Sequence, residues 1–367
     1  MNSRERLLAV LRHKEPDRIP WSPLVDYYFT SSLPDGLRMN TVETLRYIGA
    51  DVMERYGQPF KIEYGGNITF GQEKKDDEII RFWKTPRGNL VQIFMETETG
   101  HTCFCKEYPL KNLADIKIYR YVIEHTKFIP DFESFQKEDE YIGGDGMAVA
   151  GGPPSPLQVL FQDLMGIETT LYHLHDHKHE MEGLFNFMQI RHKESYTILA
   201  KSPAVIIIDY EDTSTSCLSP SLYEEYCIKE IDEYADIAHQ KSKIFITHMC
   251  GLLKGLVHLI GKGKMDGIDS LSPLPTGDLD AAEARAILGE EKIIIGGISP
   301  PFLKFSSPDV IRSFIKDLLT RMSPGKNFIL STGDATPYGT PLENLKAVTE
   351  TIKEFGRYPI TSRIPKV

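Results

Sequence analysis

Short apolar runs alternate with amphipathic stretches through the second half of the chain. Residues 204–209, 243–247, 265–270, 292–296 and 327–331 are compact strand candidates, with β-branched side chains densest at 204–209, 243–247 and 292–296. Such runs read as strands buried on both faces, the signature of a parallel sheet. Helical periodicity fills the intervals at 220–240, 252–260, 279–288, 308–322 and 342–355. Helices between consecutive parallel strands imply right-handed βαβ crossovers. The first half adds three strand candidates, 18–25, 51–55 and 141–150, the last leading into Gly151-Gly152-Pro153-Pro154. Eight strands close a (β/α)8 barrel. The pattern therefore predicts α/β architecture, one TIM-type barrel domain over residues 1–367. A doubly wound open sheet is the alternative, without the Gly-x-Gly-x-x-Gly turn that would support it.

Two stretches break the alternation. Residues 3–13 read as an N-terminal helix stopped by Pro16. Residues 61–110 read as an inserted β-hairpin, with period-two runs at 78–84 and 90–95 around a turn at 85–89. An insertion of this kind offers a lid or a partner surface.

Composition narrows the function classes. The 367 residues are 41% hydrophobic and 26% charged, ordinary for a globular domain. A net charge of -10 disfavours nucleic acid as the partner, because phosphate binding calls for a basic surface. The first residues are charged and lack an apolar signal core, and no apolar run approaches the roughly 18 residues that span a bilayer. Cysteines 103, 105, 217, 227 and 250 form no disulfide framework. The expectation is a cytoplasmic protein with no membrane contact.

The strongest chemical signal is His248-Met249-Cys250-Gly251, where the 243–247 strand runs out. An imidazole and a thiol two residues apart point to one side of an extended segment. Both are zinc ligands, at about 2.0–2.3 Å. A packed cysteine beside a hydrogen-bonded histidine is the plain alternative. Barrel strands converge at one mouth by their C-terminal ends. Those ends carry Asp26, Glu54, Asp209, Glu211, Asp212, Asp269 and Asp334, beside Tyr27, Arg55 and Ser270. An acidic mouth suits a divalent metal or a metal-free acid–base site; capping of the following helices is the competing role. His101, Cys103 and Cys105 read as half-buried hairpin positions. His173, His175, His177 and His179 read as a solvated helix junction, since residues two apart on a helix face different ways. Cys217 reads as a pocket wall.

Several segments then carry a family resemblance in order along nearly the whole chain. They are Arg4-Glu-Arg-Leu-Leu-Ala-Val-Leu11 with Pro16-Asp-Arg-Ile-Pro20, Leu45-Arg-Tyr-Ile-Gly-Ala-Asp51, Thr85-Pro-Arg-Gly88, Leu218-Ser-Pro-Ser-Leu-Tyr223, His248-Met-Cys-Gly251, Gly296-Gly-Ile298 and Thr340-Pro-Leu-Glu-Asn-Leu345. Together they resemble the uroporphyrinogen decarboxylase superfamily, which includes corrinoid-dependent methyltransferases on the same barrel. The decarboxylase's Arg-Gln-Ala-Gly-Arg segment is absent. Residues 22–29 stand in its place with aromatics and no cation. A porphyrinogen's buried carboxylates would be costly without that charge.

The resemblance implies methyl transfer between a small methylated donor (a methoxy compound or a methylamine) and a corrinoid carried by a partner protein. In the methyltransferase branch zinc sits on a His-x-Cys pair and a later Cys. His248 and Cys250 match the pair, and Asp334 stands at the later position. Tyr27, Tyr28, Phe29 and Tyr210 would line the corrinoid's approach, with Glu211 and Asp209 as catalytic acids. Porphyrinogen decarboxylation and a non-catalytic tetrapyrrole- or corrinoid-binding protein are the alternatives, and a homodimer is a candidate assembly.

Overall fold

The computed structural model describes residues 1–97 and 102–361. In chain order the strands are β1 (Val52–Gly57), β2 (Phe60–Tyr64), β3 (Thr69–Lys75), β4 (Glu78–Thr85), β5 (Gly88–Glu96), β6 (Cys103–Glu107) and β7 (Thr126–Pro130). They continue as β8 (Gly146–Gly152), β9 (Ile206–Glu211), β10 (Ile244–Met249), β11 (Gly267–Leu271), β12 (Ile293–Ile298) and β13 (Phe328–Thr332). Seven of them form one parallel sheet in the order β1-β8-β9-β10-β11-β12-β13. Helices link consecutive strands from β8 onward, which is why these strands read as unbroken apolar runs.

The expected first strand, 18–25, is reduced to a bridge. Trp21 pairs in parallel with Leu330 of β13; Ser22 N–H donates to the Leu330 carbonyl and Leu330 N–H to the Pro20 carbonyl, each at 2.9 Å. On its other side Asp51 N–H donates to the Trp21 carbonyl at 2.7 Å. The segment thus joins both edges of the seven-stranded sheet. Pro20 and Pro23 have no N–H to give, so a longer ladder cannot form here. Asp51, fully buried, ties the bridge down by accepting from Arg6 Nη1 (2.5 Å), Arg18 Nη1 (3.0 Å) and Trp21 N–H (2.9 Å).

The two faces of the sheet bury different things. Met53, Met147, Val149, Ile206, Ile208, Ile246, Ile293, Ile295 and Ile329 point into the lumen. Leu7, Val10 and Leu11 of the helix Ser3–Leu11 join that cluster, so the N-terminal helix plugs the lumen. Alternate residues, such as Ile207, Phe245, Ile268, Ile294 and Phe328, pack outward against the helices. Past these apolar residues, the C-terminal strand ends bring polar side chains into the lumen.

The insertion is larger than a hairpin. β4 and β5 pair antiparallel from Glu78↔Met95 to Thr85↔Gly88, and β3 and β6 extend them to four strands. β2 pairs separately with β7, in a second small sheet. No helix among the described residues is long and apolar enough to cross a membrane.

Candidate active site at the strand ends

Above the apolar layers lies a buried polar layer made of Arg55 (β1), His248 (β10), Asp269 (β11) and Ser331 (β13), with the half-buried Tyr210 (β9) beside it. His248 Nδ1 lies 2.9 Å from Asp269 Oδ2 and 3.1 Å from Ser270 Oγ. The other Asp269 oxygen accepts from Arg55 Nη2 at 3.2 Å. The same nitrogen donates to the Ser22 carbonyl and to Ser331 Oγ, both at 3.3 Å. Tyr210 donates its hydroxyl to the Arg55 carbonyl, and its ring sits 5.6 Å from the His248 ring. Burial alone would raise the Asp269 carboxyl; the adjacent Arg55 and the His248 hydrogen bond override it and bring the pKa down to about 2. An ionised Asp269 fixes the hydrogen on Nδ1. In the neutral ring the lone pair then sits on Nε2, which has no hydrogen-bond partner among the described residues.

A bulge makes this possible. The β11–β12 register shifts between Ile268 and Leu271, and Ser270 takes a left-handed φ of 66°. Neighbouring side chains on a regular strand point to opposite faces. Here Asp269 and Ser270 both reach His248. A non-glycine residue held at positive φ beside a buried charge is local strain of the kind found at functional sites.

Cys250 lies just beyond His248. Its thiol is 3.7 Å from Asp212 Oδ1. Burial first, then the charges of Asp334 and Asp212, push the thiol well above its ordinary range, so it stays protonated beside these acids. Asp26 belongs to the same group: burial raises its carboxyl, and the charge of Asp334 adds to the rise. Gly251 turns the chain at φ 88°, where a Cβ would meet Ser214 Cβ at 2.6 Å; only glycine lets the Cys250 loop settle on the Ser214 loop. The helix expected at 252–260 starts later, at Val257–Lys262.

No three His, Cys, Asp or Glu side chains among the described residues converge closely enough to hold a metal. The donor chemistry suits one nonetheless. His248 has its orienting carboxylate in place, the usual outer partner of a metal-bound imidazole. Cys250, Asp212, Asp334 and Asp26 bring one thiol and three carboxyls to the same mouth; Asp334 and Asp212 raise the Cys250 thiol, and Asp334 raises the Asp26 carboxyl.

Other expected site residues lie elsewhere. Asp209 and Glu211 alternate with Ile208 and Tyr210, so they point behind the sheet, away from the lumen. Both are fully buried there, and Glu211 accepts from the Ser155 N–H and hydroxyl. Neither Asp209 oxygen has a hydrogen-bond partner among the described residues, and burial followed by the Glu211 charge drives its carboxyl far upward. Glu54 likewise faces outward and accepts from Thr41 Oγ1 at 2.6 Å. Phe29 is wholly buried in the outer core, Tyr27 is 72% exposed, and Tyr28 packs on Tyr338 at 5.2 Å. Of the four aromatics expected to line the corrinoid's approach, Tyr210 is the one in the lumen. The histidines at 173, 175, 177 and 179 straddle the junction of Ile167–Asp176 and Lys178–Lys201, with His175 exposed and bonded to Asp176. Cys103 is exposed, Cys105 Sγ donates to the Glu107 carbonyl, and His101 lies outside the described residues. Cys217 is half-buried beside Ser216.

Glu211 makes stability depend on pH. Burial leads the shift of its carboxyl from 4.5 up to about 7. Between those values the folded chain keeps a proton that the unfolded chain has lost, so stability falls as pH rises through the window. Glu211→Gln removes this dependence. Its stability relative to wild type should improve by roughly 2–3 kcal/mol between about pH 4.5 and 7, measured by urea unfolding. A difference independent of pH would show that Glu211 is not the titrating group.

Arg55 and Asp269 stand among the strand-end residues of the sequence reading, which gives neither an individual role. The available signal was an ionic residue of each sign inside strands otherwise filled with apolar side chains.

Comparison with known proteins places this geometry in a family. The chain is 22% identical over 361 residues to the methylcobamide:CoM methyltransferase MtaA of Methanosarcina barkeri, covering 95% of this chain and 97% of the relative. The uroporphyrinogen decarboxylase of Gloeobacter violaceus is 28% identical over 173 residues, 46% of either chain. A solved methyltransferase from Methanosarcina mazei shares the fold with a TM-score of 0.64 at 16% identity, covering 97% of this chain and 99% of its own. The uroporphyrinogen decarboxylase (URO-D) family profile matches residues 108–355, a span running from the end of the insertion to the last helix. The chain belongs to the uroporphyrinogen decarboxylase family.

Proposed function

We propose that this protein is a methyltransferase that moves a methyl group between a small methylated compound and a corrinoid carried by a partner protein. The observation that carries the reading is the lumen layer itself. It holds a histidine with a free Nε2 fixed by a buried Asp–Arg pair, and its cation, Arg55, is already committed to Asp269. That is poor provision for a substrate bearing many carboxylates, whose burial calls for uncommitted cations. It suits a reaction in which one lone-pair donor meets a leaving oxygen, nitrogen or sulfur. The near full-length similarity to a methylcobamide:CoM methyltransferase supports the same choice, since the decarboxylase above matches less than half the chain.

Demethylation of a donor R–O–CH3 or R2N–CH3 transfers the methyl to the reduced corrinoid. The R–O or R2N group keeps the bond electrons and takes a proton. Asp269 holds the His248 ring so that Nε2 faces the lumen, with the half-buried Tyr210 ring beside it. If His248, Cys250 and Asp334 drew closer than they stand here, they would hold zinc, which would supply Lewis-acid stabilisation of the leaving atom. In the opposite direction a thiol accepts the methyl group.

The test offers the purified protein cob(I)alamin with methoxylated and N-methylated donors, and methylcob(III)alamin with a thiol. The corrinoid spectrum is followed under anaerobic conditions. Donor-dependent methylation or thiol-dependent demethylation of the corrinoid is the expected result. Conversion of uroporphyrinogen to coproporphyrinogen with no corrinoid turnover would overturn the reading in favour of decarboxylation.

A further inference from the structure

A second cavity of ≈ 390 Å³ lies outside the lumen, between the β2–β7 sheet, β4 and the helix Lys178–Lys201. Its walls are aromatic: Phe60, Tyr64, Trp83, Tyr119 and Phe128. Asp163 joins them from Leu160–Leu164, a single π-helical turn, a feature that often re-aims a functional side chain. The carboxylate of Asp163, the hydroxyls of Tyr64 and Tyr119 and the indole N–H of Trp83 make no hydrogen bond or ion pair with any described residue. Four polar groups thus converge unspent on a concave apolar site of ligand-binding size. Asp163 is exposed at the cavity's edge, and desolvation by the surrounding protein still pushes its carboxyl upward, opposed by the charge of Arg81.

The cations nearby are committed. Arg81 Nε bonds Gln72 at 2.8 Å and its guanidinium lies over the Phe94 ring. Arg191, on the cavity wall, is paired with Glu194 and donates to the Thr126 carbonyl. His192 is held neutral, because burial brings its pKa down to about 4. An unpaired carboxylate at the edge of an aromatic pocket attracts a cation that has little water to lose, and a methylated ammonium group is such a cation.

We propose that this cavity binds a methylated ammonium compound, its cationic head between the aromatic rings and beside Asp163. The assignment goes beyond the methyl-transfer reading and does not depend on it, because binding is read without turnover. Gly151 and Gly152 at the end of β8 line the cavity, and a Cβ on Gly151 would meet the lumen's Tyr210 at 3.2 Å. The two sites therefore share a wall.

The test titrates the full chain with choline and, separately, with its neutral isostere 3,3-dimethylbutan-1-ol, by calorimetry and tryptophan fluorescence. Trp21 is buried at the barrel bridge, so a fluorescence response that is lost in Trp83→Phe reports the cavity. Saturable choline binding, with the isostere roughly tenfold weaker or worse, is expected. Asp163→Asn should weaken choline about tenfold and leave the isostere unchanged, whereas His248→Ala should keep choline binding intact. Equal binding of choline and the isostere to the wild-type chain, or no saturable binding of choline, overturns the proposal without any variant.

Discussion

His248→Ala should lower methyl transfer by roughly 10³-fold while leaving the protein folded. The reasoning starts from what else His248 does. Its Nδ1 side is one hydrogen bond to Asp269 and one contact to Ser270, and Asp269 retains Arg55 when the ring is removed. The stability lost is then about 1 kcal/mol, the usual net worth of such a bond. Turnover has no comparable substitute, because Nε2 is the free lone pair of this layer. Asp269→Asn should fall between, with a loss of about 10–100-fold, since it leaves the ring in place but frees its orientation and tautomer. The check is the rate of corrinoid methylation together with a thermal midpoint for each variant. A His248→Ala protein within tenfold of wild type would remove the imidazole from the mechanism.

Arg55→Leu should cost about 3–5 kcal/mol of folding stability. Asp269 is fully buried, and its low pKa shows how much of its ionisation rests on the guanidinium. Removing the cation strands a carboxylate in the lumen and leaves the Ser22 carbonyl without this donor. The double variant Arg55→Leu/Asp269→Asn should recover a good part of the loss, because breaking one half of a buried pair costs more than replacing both. Urea unfolding of the two single variants and the double variant measures the coupling, expected above about 1 kcal/mol for groups in contact. An Arg55→Leu protein within about 1 kcal/mol of wild type would mean that water replaces the guanidinium and the layer is not sealed.

Much of the barrel is legible in the sequence because its strands are buried on both faces. Runs such as Ile206-Ile-Ile and Ile293-Ile-Ile carry no periodicity that competes with a strand. The same property hides which face each polar residue takes. Asp209 and Glu211 look like mouth acids until the strand is phased against Ile206 and Ile208, which settle into the lumen and send the acids to the helical side. The reverse holds at β11: a bulge and one left-handed serine bring two neighbouring residues to the same histidine, and no alternation rule foresees that. The strand expected at 18–25 failed for a more ordinary reason. Its prolines leave it too few N–H groups for a ladder, and a single bridged residue does the joining. The β2–β7 sheet pairs residues on either side of a long excursion, and such non-local pairing leaves no local signal.

The bridge at Trp21 also bears on how the chain is made. Ser331 Oγ donates to the Ser22 carbonyl across 309 residues of sequence, and Trp21 has its partner in β13. During synthesis at roughly 5–20 residues per second, the amino-terminal segment waits on the order of 15–60 s before that partner exists. Through this interval the N-terminal helix can sit against the early strands while the first edge of the sheet stays unpaired. The ribosome must release β13 before the ring can shut, so the nascent chain's most vulnerable edge is the one made first.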